Sequence, residues 1–200
     1  FDSACAVCTV GWSFSETVRA CYGKDLDAPF QSTAINFALR SMMMLLLPEL
    51  SIFFYSVVCL FFSISKKKSE VVPLAKILSL VVFILTALSF TANGGIFSGA
   101  YRIDLFSQIF KIVIALGLCI VVLMFGKNKE IEDEYLPEYF MFLGLSTLGL
   151  MMLSSSVELI SIVISLEVSS YSLYVIVPLR KGQTRMQLEA SFKYLFFGAI

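Results

Sequence analysis

VELISIVISLEVSSYSLYVIVPLRKGQTRMQLEASFKYLFFGAI, residues 157–200, decides the fold. Its first half, Val157 to Val177, is an apolar run of about 21 residues, long enough to cross a bilayer. Glu167 stands in the middle of that run. A charged residue there opposes insertion by roughly 2.5–3.5 kcal/mol, while each Leu, Ile or Val returns roughly 0.3–0.6, so the helix still inserts. A short loop, Gly182-Gln-Thr-Arg185, leads to a second apolar run that carries Lys193. An acid and an amine on adjacent membrane helices are the minimum equipment for passing protons. Antiparallel neighbours are expected to bring Glu167 and Lys193 to similar depths. Each charge then favours the charged form of the other while desolvation opposes both.

Hydroxyls surround the acid: Ser165, Ser169, Ser170, Tyr171, Ser172 and Tyr174. Ser169, Ser170, Tyr171 and Tyr174 are the candidate relay, able to hold water beside Glu167. The competing reading for each hydroxyl is a helix–helix hydrogen bond, which contributes about 0.6 kcal/mol on average in membranes. Glu158 and Glu189 lie near run ends and read as interfacial.

The rest of the chain has the same character. It is 58% hydrophobic and 15% charged, with a mean hydropathy of +0.86, which excludes an ordinary soluble domain. Fifteen basic and fifteen acidic residues cancel, so no nucleic-acid footprint is present. Histidine is absent, which removes the commonest general base and metal ligand. Of five cysteines, Cys59 and Cys119 fall in apolar runs and read as small hydrophobes. Cys5-x-x-Cys8 with Cys21 lacks a fourth ligand and reads as free thiols.

Apolar runs at about 45–64, 71–92, 105–126, 137–154 and 157–177 predict five complete spans, and 188–200 begins a sixth. The fold class expected is all-α, a polytopic transmembrane helix bundle. Residues 1–41 are polar by comparison and read as a non-membrane tail, a candidate extension from upstream sequence; residues 42–200 form the transmembrane domain. Pro48 and Pro73 are expected in the first turns of spans 1 and 2, where a missing N–H is harmless. Glu49 then sits at the favourable end of a helix dipole. Lys111, two turns into span 3, is expected to snorkel to the interface or to pair with Asp104. In span 4, Gly144, Ser146, Thr147 and Gly149 supply small residues for close helix approach.

Loops after spans 1, 3 and 5 carry Lys66, Lys67, Lys68, Lys127, Lys129, Arg180, Lys181 and Arg185, whereas those after spans 2 and 4 carry only Arg102. The positive-inside rule assigns the first set to the cytoplasmic, matrix or stromal side and the amino terminus to the opposite face. No Gly-rich phosphate loop, haem histidine pair, iron–sulfur cysteine cluster or nucleophile–base pair is written in the chain, so no redox centre or cofactor of its own is expected.

Several stretches carry a resemblance. They are Pro137-Glu-Tyr-Phe, Thr147-Leu-Gly-Leu-Met-Met-Leu-Ser-Ser-Ser156, Glu158-Leu-Ile, Ser165-Leu-Glu167-Val-Ser-Ser-Tyr-Ser-Leu-Tyr174-Val and Leu188-Glu-Ala-Ser-Phe-Lys193-Tyr-Leu-Phe-Phe-Gly198-Ala. Leu47-Pro-Glu-Leu50 and Asp104-Leu-Phe-Ser add to them. Together they resemble subunit N, or subunit 2, of the proton-pumping NADH:quinone oxidoreductase family (respiratory complex I), over about residues 44–200. The resemblance implies that Glu167 matches the family's essential glutamate on its fifth helix and Lys193 the lysine on its sixth. It implies a membrane subunit that couples electron transfer to proton movement, with quinone, NADH, flavin and iron–sulfur clusters held by other subunits. Its partners would be other membrane subunits and the lipid bilayer of an energy-coupling membrane, bacterial, mitochondrial or thylakoid. The family fold has about fourteen helices in two inverted repeats, and the later helices with their further lysines are absent here. This chain is therefore not expected to translocate protons alone. A cation/proton antiporter subunit and a non-translocating membrane scaffold are the alternative readings.

Overall fold

The computed structural model describes residues 28–64, 71–91, 94–96, 100–125, 131, 135–179 and 184–199. Cys5, Cys8 and Cys21 lie outside them, as do most of the loop lysines. Helix α1 runs Ala28–Ile64, α2 Val71–Leu88, α3 Leu105–Met124, α4 Leu136–Ser155, α5 Leu159–Ile176 and α6 Thr184–Ala199. Two single 3₁₀ turns, Ser89–Thr91 and Val177–Leu179, extend α2 and α5. Five segments are long and apolar enough to cross a membrane: Met43–Ile64, Val71–Leu88, Leu105–Met124, Leu136–Ser155 and Leu159–Leu179. They coincide with the five spans expected from hydropathy, because bilayer thickness sets their length.

Neighbour contacts arrange α1, α2, α3 and α4 as a ring in which each helix touches the next and α4 closes onto α1. Helix α5 lies along α4, and α6 packs on the far end of α5 and the 3₁₀ turn that extends it. Each ring helix contributes one stripe to the interior: Ile52, Tyr55 and Cys59 from α1; Val71, Ala75 and Val82 from α2; Ala115, Leu118 and Val122 from α3; Phe140 and Met151 from α4. The spacings within these stripes, of three, four, seven and eleven residues, are those of one helix face. Cys59 and Cys119 are buried free thiols, in keeping with their reading as small hydrophobes.

The small residues of α4 work as expected. A side chain at Gly144 would collide with Ser56 and Tyr55 of α1, and one at Gly149 would come within 2.8 Å of the Ser165 and Ser169 backbone of α5. Close approach of this kind drives helix association where lipid removes the hydrophobic incentive.

Three local features differ from the sequence expectation. Pro48 is not in a first turn, because α1 begins at Ala28 and carries the proline inside it. The missing Pro48 N–H leaves the Met44 carbonyl without its intrahelical donor. The Ser89 hydroxyl, from the turn that ends α2, donates to that carbonyl at 3.0 Å. Glu49 is accordingly an interior residue and no dipole partner at a helix end. Finally, the link between α2 and α3 forms an antiparallel hairpin, β1 Gly94–Ile96 and β2 Tyr101–Ile103, where glycine-rich turn chemistry alone was visible. Tyr101 and Ile103 point inward and pack with Leu45 of α1, while Arg102 between them is exposed. The hairpin thus closes one end of the four-helix ring.

Candidate functional site

Helix α5 separates its polar residues onto two faces. Ser165, Ser169 and Ser172 recur at four and three residues and are buried against α4. Ser169 Oγ lies 3.3 Å from Ser146 Oγ of α4, and the other two hydroxyls return to carbonyls on their own helix. Glu167 projects from the other side and is exposed on the bundle surface. Of the candidate relay, Ser169 is therefore turned into the α4–α5 contact, away from the acid.

Tyr171 and Tyr174 share the face of Glu167. The Tyr171 hydroxyl lies beside the Glu167 carboxylate, one turn away on the same helix. Tyr171 meets Tyr174 edge-on with ring centroids 6.0 Å apart, and Tyr174 meets Tyr194 of α6 at 5.1 Å. Gly198 leaves room for the Tyr174 phenol, which a β-carbon there would strike. A line of aromatic side chains therefore runs from Glu167 to α6.

The structure does not bring Glu167 and Lys193 into an ion pair. The Lys193 ammonium sits 2.6 Å from Glu189, one turn back on α6, and both side chains are exposed. The physical reason is register. The short loop sends α6 into contact with α5 at Tyr174, seven residues past Glu167, or about 10 Å along the helix.

A second polar constellation escaped the sequence reading. Lys111 neither snorkels nor pairs with Asp104, which takes Arg102 at 3.1 Å instead. Lys111 is wholly buried, and its Nζ lies 2.6 Å from Glu49 Oε1. Glu49 on α1 and Lys111 on α3 stand on opposite helices of the ring, so the pair crosses the interior beneath the hairpin. The Tyr101 hydroxyl donates to the same Glu49 oxygen at 2.5 Å, and Lys111 Nζ lies 5.4 Å from the centre of the Tyr101 ring. Burial first, and then the Glu49 charge beside it, hold the Tyr101 phenol well above the ordinary tyrosine range, so it stays a proton donor. Glu49 Oε2 is buried and has no hydrogen-bond partner among the described residues. The sequence signal was phase: Glu49 precedes Ile52 and Cys59, and Lys111 precedes Ala115, Leu118 and Val122, on the stripes that fill the core. No cluster of three metal-ligating side chains occurs among the described residues.

An apolar ring of membrane-length helices, with an exposed mid-span carboxylate at Glu167 and a buried ion pair at Glu49–Lys111, defines an integral membrane protein. The curated relatives it matches narrow the class. NADH-quinone oxidoreductase subunit N 2 of Solidesulfovibrio magneticus is 46% identical over 159 residues, which is 77% of this chain and 32% of that protein. The protein of the same name in Opitutus terrae is 46% identical over 134 residues, 64% of this chain and 28% of its own length. Subunit N of Bacillus anthracis is 30% identical over 148 residues, 72% of this chain and 28% of its own. These likenesses place the chain with NADH-quinone oxidoreductase subunit N, and it spans about a third of the length of those relatives. No family model and no solved structure matches it.

Proposed function

We propose that the chain is part of the membrane arm of a proton-translocating NADH:quinone oxidoreductase, in which Glu167 carries a proton at mid-membrane depth. The observation that supports this is Glu167 itself, a carboxylate at the centre of a crossing helix, retained within a chain 46% identical to subunit N over most of its length. Such a residue opposes insertion and is kept for a reason other than packing, since it touches no core. The Tyr171 hydroxyl lies beside the carboxylate, and the tyrosine line leads toward α6 and Lys193. Lys193 is the counter-charge: its release from Glu189 toward α5 would change the free energy of the proton on Glu167.

In this reading the exposed face of α5 and α6 is covered by the rest of the subunit and by neighbouring membrane subunits. NADH, flavin, iron–sulfur clusters and quinone belong to other subunits. The chain sits in an energy-coupling membrane, with the basic loops on the negative side and the hairpin on the positive side. No nucleic acid takes part.

The test is Glu167→Gln in the full-length subunit within its complex, reconstituted in vesicles. Protons moved per NADH oxidised should fall while the complex still assembles. Unchanged stoichiometry would overturn the proposal and leave a scaffold role. Cation/proton exchange without NADH-driven pumping would support the antiporter alternative.

A further inference from the structure

We propose that Glu49, with Lys111 and Tyr101, forms a second proton-binding site beneath the hairpin, distinct from Glu167 and open to exchange on the hairpin side. The inference rests on the reading above that the subunit moves protons, but its own observations are separate.

The first observation is the cluster itself. Two opposite charges meet at 2.6 Å inside a ring whose interior is mostly apolar or small side chains, with Gln108 buried one turn before Lys111. A buried pair is weak support for stability, since apolar residues of similar volume often serve as well or better. The second observation is the open valence. Glu49 is more than nine-tenths buried; Oε1 accepts from the Tyr101 hydroxyl and lies 2.6 Å from the Lys111 ammonium, and Oε2 has no hydrogen-bond partner among the described residues. A carboxylate with one oxygen engaged and the other unpartnered has one place for a proton. The third is position. Tyr101 is itself buried, but it belongs to the hairpin whose Arg102 is exposed, so the cluster lies at the hairpin end of the bundle.

The step balances simply. A hydronium ion on the hairpin side gives its proton to a lone pair of Glu49 Oε2, and the carboxylate becomes a carboxylic acid. Water is left behind, and no other bond changes. The cluster goes from net zero to one positive charge, with Lys111 still protonated. That unneutralised ammonium, in a poorly solvated interior, drives release of the proton when a further positive charge approaches. Tyr101 is a positioning residue that fixes Oε1 and leaves Oε2 free. Other polar groups near the site include Ser155 from α4, beside Tyr101, buried Gln108 on α3, and the exposed Arg102–Asp104 pair. Lys76 is the only ionisable side chain of α2, and it lies near the opposite end of that helix.

The experiment uses the full-length subunit in its complex. Infrared difference spectra across a pH titration report the C=O stretch of a protonated carboxyl. A band that grows as pH falls and is lost in Glu49→Gln is expected. Lys111→Arg keeps the pair and so the fold, and should move the pH at which the band appears. An unmoved band, or none assignable to Glu49, overturns the proposal. The double variant Glu49→Gln/Lys111→Met removes both charges without stranding either, and protons per NADH should fall by about twofold or more. Full pumping in that variant makes the pair structural. Glu167→Gln, measured in parallel, reports on the other reading alone, since the Glu49 band is expected to be the same in that background.

Discussion

Lys111 of α3 reaches across the interior of the four-helix ring to Glu49 of α1, Nζ to Oε1 at 2.6 Å, and neither side chain is open to solvent or lipid. The pair ties together two helices that otherwise barely touch. It also explains why a lysine two turns into a span does not reach back to the interface: its charge is satisfied inside.

Removing one member should therefore hurt more than removing both. Lys111→Met strands the Glu49 carboxylate, and Glu49→Gln strands the ammonium. Each single change should destabilise the subunit by about 3–5 kcal/mol, and the double change by clearly less. Unfolding curves of the purified protein in one detergent would measure the difference. Equal losses in all three variants would contradict the pairing.

The Ser89 hydroxyl substitutes for the N–H that Pro48 lacks. Ser89→Ala should leave the Met44 carbonyl without a donor, at a loss of about 1–3 kcal/mol. In a Pro48→Ala background, position 48 regains its N–H and Ser89→Ala should become nearly neutral. A double-mutant cycle on thermal stability checks this coupling.

Gly149 lets α5 lie against α4 with no side chain between them. Gly149→Ala would press a methyl onto the Ser165 and Ser169 backbone, which has no flexible end to give way. Overpacking of this kind should cost about 1–3 kcal/mol. Gly117 of α3 has open space around its missing side chain, so Gly117→Ala is the control and should be tolerated.

On the face of Glu167, Tyr171→Phe removes the hydroxyl beside the carboxylate and keeps the ring contact with Tyr174. Proton pumping in the full-length subunit should fall several-fold, less than in Glu167→Gln, with assembly unchanged. Ser169→Ala is the comparison. Because Ser169 faces Ser146 in a helix contact, its loss should alter stability slightly and pumping hardly at all.

The orientation proposed from the loop charges is directly testable. A single cysteine replacing Lys67 should react with an impermeant thiol reagent from the cytoplasmic side only. One replacing Arg102, on the exposed edge of the hairpin, should react from the opposite side only. The reverse pattern would invert the topology.

The sequence by itself determined the number, length and alternation of the spans, because the bilayer requires about 20 apolar residues per crossing and such runs are visible along the chain. It also singled out Glu167, since a charge amid apolar neighbours is conspicuous in one dimension. Gly144 and Gly149 were legible as contact points for the same reason: only small residues allow backbones to approach. The facing of each helix was decided by tertiary structure alone. When lipid and core are equally apolar, no polar face marks the outside, so Ser169 and Glu167 could not be assigned to opposite sides by composition. Depth between α5 and α6 depended on where a short loop let them touch, and that set Lys193 beside Glu189 rather than Glu167. Taken singly, Glu49 read as a helix-end residue and Lys111 as one that snorkels to the interface or pairs with Asp104. Only the closing of a ring brought two distant charges onto one diagonal, where low polarity makes each the other's necessary partner.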